Sequence, residues 1–536
     1  MSGLAARRER PEPKALGAFY TEESVASRLV TWAIRDGNAT LLDPSCGDGA
    51  FLVAASTRLA QFGSSSFRLH GIDVSGDALR ESRQRVRNAR LLRSDFFDLT
   101  LQSLPAFDCV VGNPPYIRYQ TFNGDATSKA YVRAMEAGVR LPRLASSWAP
   151  FVVHSARFLR PGGRLAMVMP SELGHAMYAR EVLKYLIRHF KSVAIEMFRD
   201  KLFDGLGQST VLLYCEGYGE TCKKFTVTSA DSLLSETTET RTVDLEAVEN
   251  GNFRLNHYLL PDATLSLYNA LAAHPGVRRL GNVADVGIGY VTGANSFFHL
   301  TDGEQSQWKI GDKFLRPAIL NLRDVEGVAF RLEQWVAKRR AGEKVHLLAL
   351  PAVAKESLPV HIQHYLHQGE INGVADRYKC RTRKFWYVVP HVRVADAFLS
   401  YMSGDMPRLV TNTGGLVAPN TIHLLRFLKG YSPDSYAAAW RNSLTKLSCE
   451  MEGHALGGGL FKIEPSEAER ILVVGPSASH AQMLLNHSGR DLVNSRSRNP
   501  DLFDRHLLRK GMGLTEAECI SLREAATRME QWRKHQ

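Results

Sequence analysis

Four short apolar runs between residues 39 and 116 each stop on a polar side chain, and helical stretches separate them. The runs are "ATLLDPSCGDG", "FRLHGIDVS", "ARLLRSDFFD" and "FDCVVGNPPY", with "AFLVAASTRLAQFG" and "GDALRESRQRVRNA" between them. Such alternation predicts an α/β fold, a mainly parallel sheet with helices on both faces. Ligands of such a sheet sit at the C-terminal ends of its strands. A helix ending at "LRPGG" and the runs "RLAMVMP", "SVAIEMF" and "STVLLYCE" extend the same sheet. Near residue 225 the chain turns Thr/Ser/Glu-rich, which fits a connector or an edge excursion.

The strand ends carry the chemistry. In "LLDPSCGDGAFL" an apolar strand meets Asp43 and Pro44, then Cys46, Gly47 and Gly49, then a helix. The glycines let the backbone turn sharply and approach a ligand, with a helix N-terminus behind them. Asp73, followed by Val74, closes the second strand, where a carboxylate takes two ribose hydroxyls as donors. Asp95 follows the third strand, placed to accept from an adenine amino group, with Phe96 placed to cover the ring. Three acids at successive strand ends describe a nucleoside site, and the lack of a Walker A lysine argues against a nucleoside triphosphate.

Asn113, Pro114, Pro115 and Tyr116 end the fourth strand beside that pocket. The prolines fix φ and remove two N–H donors. The Asn113 side-chain oxygen and the Pro114 carbonyl thus form an acceptor pair for both hydrogens of one amino group. An exocyclic amine on a base is a poor nucleophile because its lone pair is delocalised into the ring. Two acceptors on its hydrogens favour a pyramidal nitrogen, and Tyr116 offers a face for base stacking, worth roughly 1–3 kcal/mol.

These motifs, with "GAFYTEESVASRLVTWAI" before them and "LRPGGRLAMVMP" after, resemble in content and order the gamma-class, TaqI-type N6-adenine DNA methyltransferases of bacterial restriction–modification systems, over residues 17 to 215. The resemblance implies a Rossmann-like class I methyltransferase domain with S-adenosylmethionine as cofactor. It implies that Phe19, Tyr20 and Thr21 touch the methionine end of that cofactor. It further implies a target adenine flipped out of double-stranded DNA, since a methyl donor cannot reach an amino group inside the stack. Phe203 in "KLFDGLGQSTVLLY" matches the family's second stacking aromatic, opposite Tyr116.

Residues 276–475 resemble the family's α+β target-recognition domain, read from the sequence as strand-poor and irregular. "YKCRTRKFWYVVP" interleaves Lys379, Arg381, Arg383 and Lys384 with aromatics, as either a phosphate- and base-contacting segment or a solvated basic strand. Asn295 and Asn420, in two further family-like stretches, join the candidate DNA contacts. The remaining divisions are a mobile arm over 1–16, a catalytic domain over 17–245, a connector over 246–275 and a helical segment over 476–536. The final stretch reads as two helices split at Gly511–Gly513.

Charge agrees with a polyanionic partner: 67 Lys and Arg against 55 Asp and Glu give +12 over 536 residues. Seven cysteines without a CxxC pair suit a reducing cytoplasm. No apolar run approaches the roughly 20 residues of a membrane span, and the basic N-terminus lacks the apolar core of a secretory signal. His361, His364 and His367 read as a solvated helix face, and no metal is expected. Cys46 does not follow a proline directly, as a cytosine C5 methylase nucleophile would. The expected enzyme is a monomeric adenine-specific DNA methyltransferase, with a separately encoded restriction endonuclease as partner. The alternatives are methylation of RNA adenine or a protein glutamine amide, a non-catalytic specificity protein, and a nuclease–methylase fusion. The fusion is disfavoured by the 16 residues ahead of Gly17 and the lack of a PD…(D/E)xK pattern.

Overall fold

Val25, Ala26, Leu29, Val30 and Ala33 fall on one face of helix α1 (Glu23–Ala33) and are buried, the spacing that fixes an amphipathic helix against a sheet. The computed structural model describes residues 21–64, 68–117, 125–203, 209–323, 325, 327–456, 459–491 and 500–535. They form two units, the second comprising Leu260–Ala455 and Gly459–Lys534.

In the first unit the chain runs through β1 (Leu41–Asp43), α2 (Ala50–Ala60), β2 (Leu69–Asp73), α3 (Gly76–Arg85), β3 (Arg90–Arg93) and β4 (Phe107–Gly112). It continues through α4 (Asp125–Glu136), α5 (Trp148–Ala156), β5 (Leu159–Pro170), α6 (Ala179–His189), β6 (Phe190–Phe198), β7 (Thr210–Tyr218), β8 (Lys224–Ala230) and β9 (Thr238–Thr242). The nine strands form one sheet in the order β3-β2-β1-β4-β5-β7-β6-β8-β9. The first five are parallel, and β7 runs antiparallel between β5 and β6. The order reverses where β1 pairs with β4, and a doubly wound sheet opens a crevice at that point.

The polar stretch after residue 225 is an edge excursion. β8 alternates buried Phe225 and Val227 with more exposed residues, and β9 closes the edge. The stretch 246–275 is folded rather than a plain connector: it carries helices Leu245–Glu249 and Asp262–Ala272.

The second unit holds more strand than its sequence suggested. Its main sheet has five short strands, ordered Ala284–Ile288, Ile422–Phe427, Ala397–Ser400, Leu409–Asn412 and Ala329–Phe330. Several of these have only two to five residues, too short for a period to show in the sequence. The C-terminal helix Glu516–His535 buries Leu522, Ala525, Ala526 and Met529 in one core with Leu260, Tyr268 and Leu271. The basic stretch at 378 is a helical turn, Tyr378–Arg381, and not a strand. No helix among the described residues is long and apolar enough to cross a membrane.

Phe225 is fully buried and its ring lies 5.4 Å from that of Phe253. Phe225→Ala should therefore destabilise the protein by about 3–5 kcal/mol, as loss of a core aromatic does. Thr238→Ala on the exposed edge strand should change it by less than about 0.5 kcal/mol. Urea denaturation of the two variants checks the contrast.

Candidate active site

Parallel pairing brings the strand-end acids to one edge. Asp43 ends β1, Asp73 ends β2, Asp95 follows β3, and Asn113 follows β4. Asp43 is 0% exposed. Its Oδ1 accepts from the Ser45 N–H at 3.2 Å, and its Oδ2 has no partner among the described residues. Burial pushes the Asp43 carboxyl well above the usual carboxylate range. The Ser45 N–H opposes that shift, and the charges of Asp73 and Asp48 add to it.

The loop after Asp43 is pinned to β2. The Cys46 N–H donates to the Ile72 carbonyl at 2.8 Å, and the Gly47 N–H to Asp73 Oδ2 at 2.9 Å. The Ser75 N–H donates to Asp73 Oδ1 at 2.7 Å. Each Asp73 oxygen thus takes one backbone donor and keeps a lone pair for a hydroxyl. Gly47 has φ +50°, and a Cβ there would meet nothing within 4 Å, so its bare side faces open space. Gly49, at φ +89°, caps α2, and a Cβ would lie 2.6 Å from the Ser82 hydroxyl. Cys46 is buried and its thiol pushed up by desolvation, which suits packing rather than nucleophilic attack. Val74 is 57% exposed beside these groups.

Asp95 caps the short helix Phe96–Asp98, its Oδ1 accepting from the Phe97 N–H at 3.0 Å. The ring-covering role expected for Phe96 does not fit. Its ring is buried among Phe151, His154 and Phe158, with centroids 5.0, 4.7 and 5.3 Å away. The exposed apolar group at this edge is Val74. Phe203 also departs from its expected place. It is 5% exposed and packs in the core that holds Leu202 and Leu212. Phe19 and Tyr20 lie outside the described residues.

At the corner, Asn113 Nδ2 donates to the Thr21 hydroxyl at 3.3 Å, while Oδ1 is buried without a partner among the described residues. The Tyr116 hydroxyl donates to the Val168 carbonyl on β5 at 3.0 Å, which anchors the ring from its far end. Two serines that carried no motif-level signal also grip this corner. Ser45 Oγ donates to the Asn113 carbonyl at 3.0 Å, and Ser147 Oγ to the Pro115 carbonyl at 2.5 Å.

The basic segment of the second unit divides by role. Tyr378 is 64% exposed, with the cations of Lys379 and Arg381 5.7 and 5.8 Å from its ring centre. The Lys384 ammonium sits 5.5 Å from the ring of Phe385. Arg383 is committed to the fold: its guanidinium donates to the Val291, Thr292 and Trp386 carbonyls at 2.6, 2.8 and 3.3 Å. Its guanidinium is occupied within the fold and not offered to DNA. Asn295 accepts from the Thr292 hydroxyl at 2.5 Å, and the Asn420 N–H donates to the Tyr290 carbonyl at 2.9 Å. Residues 290–295, 378–384 and 418–420 therefore meet on one side of this unit. Among the described residues no group of three or more His, Cys, Asp or Glu is placed to hold a metal.

Residues 8–247 match the N-6 DNA Methylase family, and residues 254–506 match the C-terminal domain of the type II methyltransferase M.Eco57I. The chain thus carries an N-6 DNA methylase domain over residues 8–247. It is 21% identical over 471 residues to the type II methyltransferase M.AccI of Acinetobacter calcoaceticus, covering 85% of each chain. It is 24% identical over 485 residues to M.XamI of Xanthomonas campestris pv. amaranthicola, covering 88% of this chain and 87% of that one. Among solved structures, the type IIL restriction–modification enzyme MmeI in complex with DNA superposes with a TM-score of 0.55 at 11% identity. That match covers 95% of this chain and 75% of that one, and it is a likeness of fold. The chain spans 66% of the type IIG restriction endonuclease BpuSI, with a TM-score of 0.43.

An N-6 DNA methylase uses S-adenosylmethionine, and the edge fits it. Gly47 leaves room for a close approach, Asp73 keeps acceptors, Val74 offers an apolar face, and Asp43 Oδ2 has no partner among the described residues.

His154, under this edge, is buried. Its Nε2 lies 3.3 Å from the Phe96 carbonyl, and Nδ1 has no partner among the described residues. Desolvation, helped by Arg157 and Arg133, lowers its pKa to about 4. A group depressed in this way is neutral in both states above pH 6.5, so the folded form is penalised as pH falls from 6.5 to about 4. His154→Phe should flatten the loss of stability across that window by a few kcal/mol, on the order of 1.4 per pKa unit. Melting temperatures of the two proteins between pH 7 and 4 give the difference.

Proposed function

We propose that the chain transfers a methyl group from S-adenosylmethionine to N6 of an adenine flipped out of double-stranded DNA, within a short recognition sequence. It would act as the modification component of a restriction–modification system whose endonuclease is a separate chain. The observation that carries this reading is Asn113 Oδ1 at the β4 end, beside the cofactor edge, buried and without a partner among the described residues.

In this reading Asp73 accepts from the ribose hydroxyls, Val74 packs against the cofactor's base, and Asp95 keeps an acceptor for its amino group. When bound, the cofactor supplies an electrophilic methyl on a sulfonium, a strong leaving group. Asn113 Oδ1 and the Pro114 carbonyl accept the two N6 hydrogens of the target base. Both acceptors are neutral, so they draw the lone pair out of the ring without taking a proton. The proton leaves for solvent after transfer. Tyr116 stacks on the base, its hydroxyl tied to Val168 so that the ring holds its orientation. The second unit reads the sequence through the surface around Tyr378, Lys379, Arg381, Asn295 and Asn420.

Single-molecule sequencing of genomic DNA from a methylation-free host expressing this chain tests the reading. N6-methyladenine should appear at one short motif and vanish with Asn113→Ala, which keeps cofactor affinity. Asp73→Ala should do the reverse, weakening cofactor binding first. Soluble, cofactor-binding protein that marks no adenine would end the DNA reading and turn the search to RNA or protein amides.

For the DNA face, replacing Lys379 and Arg381 together by Ala should weaken binding to any duplex. It should also reduce the slope of log affinity against log salt by about 2, one for each phosphate no longer neutralised. Filter binding at several salt concentrations checks this. Arg383→Ala should instead lower the melting temperature.

A further inference from the structure

The catalytic corner is four residues long and has few ways to be wrong, yet its own sequence does not hold it in place. Pro114 and Pro115 have no N–H to donate, so the corner cannot tie itself down through a backbone turn of its own. Its carbonyls must be fixed by donors from elsewhere, or they swing.

The structure shows which are fixed. Ser45 Oγ, from the loop after β1, donates to the Asn113 carbonyl at 3.0 Å. Ser147, in front of α5, works in both directions: its hydroxyl donates to the Pro115 carbonyl at 2.5 Å and accepts from the Ile117 N–H at 2.9 Å. Its own N–H donates to the Ile117 carbonyl at 3.1 Å. Between the two fixed carbonyls lies that of Pro114, which no donor reaches among the described residues.

We infer that Ser45 and Ser147 are positioning residues for methyl transfer: by occupying the carbonyls of Asn113 and Pro115 they fix the corner and leave the Pro114 carbonyl between them open to the substrate amine. The inference rests on the reading of Asn113 and Pro114 as amine acceptors and adds the groups that aim them.

Two features distinguish this from ordinary loop packing. Ser147 is 1% exposed, and a hydroxyl there is retained only where its hydrogen bonds are made. It closes a ring of three hydrogen bonds around Pro115 and Ile117, so the segment on the far side of Tyr116 cannot shift without breaking them. Ser45 sits between two cofactor-side groups, Asp43 and Cys46, and links the cofactor loop to the substrate corner through one bond. A displacement of about 1 Å at a reacting group is enough to cost on the order of 100-fold in rate. The two serines stand where such a displacement would start.

The test uses the full-length protein, radiolabelled S-adenosylmethionine and unmethylated genomic DNA from a methylation-free host. Ser147→Ala should lower the single-turnover transfer rate by about 100-fold while the cofactor dissociation constant stays within about threefold. Hydrogen exchange should show the Ile117 amide losing protection. Ser45→Ala should lower the rate by about tenfold, with Ser45→Thr, which keeps the hydroxyl, restoring most of it. A Ser147→Ala protein that transfers at the wild-type rate overturns the inference. So does a parallel loss of cofactor affinity and rate in both alanine variants, which would mean that the serines only hold the loop. Should Ser147→Ala fail to fold, the Ser45 pair decides alone: equal rates for Ser45→Ala and wild type end the proposal. Wild-type protein that labels no DNA would instead end the parent reading, before either serine is judged.

Discussion

The parallel pairing of β1 with β4, Leu41 opposite Cys109 and Leu42 opposite Val110, is the contact on which the site depends. Chain order would place β4 beyond β3, yet it returns to the opposite side of β1, and the crevice opens at that reversal. The close approach is built into Gly112. A Cβ there would stand 3.0 Å from Asp43 Oδ1 and 3.4 Å from Pro44 Cδ, so a larger residue would press on the Asp43 carboxylate. With glycine present, the cofactor loop and the substrate corner come near enough for one serine hydroxyl to join them.

That closeness has an electrostatic cost. Asp43 is wholly buried with one carboxylate oxygen unpaired among the described residues, and Asp73 and Asp48 bear on it through space. A buried polar atom without a partner costs on the order of 1–3 kcal/mol, and folds keep such atoms mainly where a ligand or a mechanism uses them. The loop's Asp48 is paired with Arg85, and further ion pairs lie in the scaffold. Arg28 makes a bidentate contact with Glu196, which also accepts from Tyr214, on the far strands β6 and β7. Two buried acceptors without a partner among the described residues, Asp43 Oδ2 and Asn113 Oδ1, stand where the strands end.

The sheet and its acids were legible because each depends on one local signal: an apolar run, then a turn, with a carboxylate or Asn between. Asp43, Asp73, Asp95 and Asn113 all stand where that signal puts them. Side-chain direction was not legible. Phe96 follows Asp95 directly, but its ring goes into the core because Phe151, His154 and Phe158 form a packing site that outweighs one exposed face. Phe203 is drawn into the core in the same way. In the second unit, spacing could not separate Arg383 from Lys379 and Arg381. A guanidinium has five donors in a planar fork and satisfies three carbonyls at once, so burial selects Arg383 for structure, while its neighbours remain on the surface. The serines were invisible for a different reason. Hydroxyls at 45 and 147 are far apart in sequence, and only the folded chain brings both to one corner.

What the corner lacks also bears on how it works. Asn113, Pro114 and Pro115 do not titrate in the working range, and burial moves the Tyr116 hydroxyl well above its ordinary value. No general base stands among them, so rate enhancement by proton abstraction at the amine is not available to these residues. For the proposed transfer the remaining source of rate is geometry: two neutral acceptors at fixed angles, a ring anchored through its hydroxyl, and a leaving group supplied by the cofactor. Under that constraint the precision of the acceptors matters more than their basicity, and precision is a property of whatever holds them. On the proposed reading the motif names the atoms that touch the amine, while the groups that determine how well they touch it lie on β5, before α5 and in the cofactor loop.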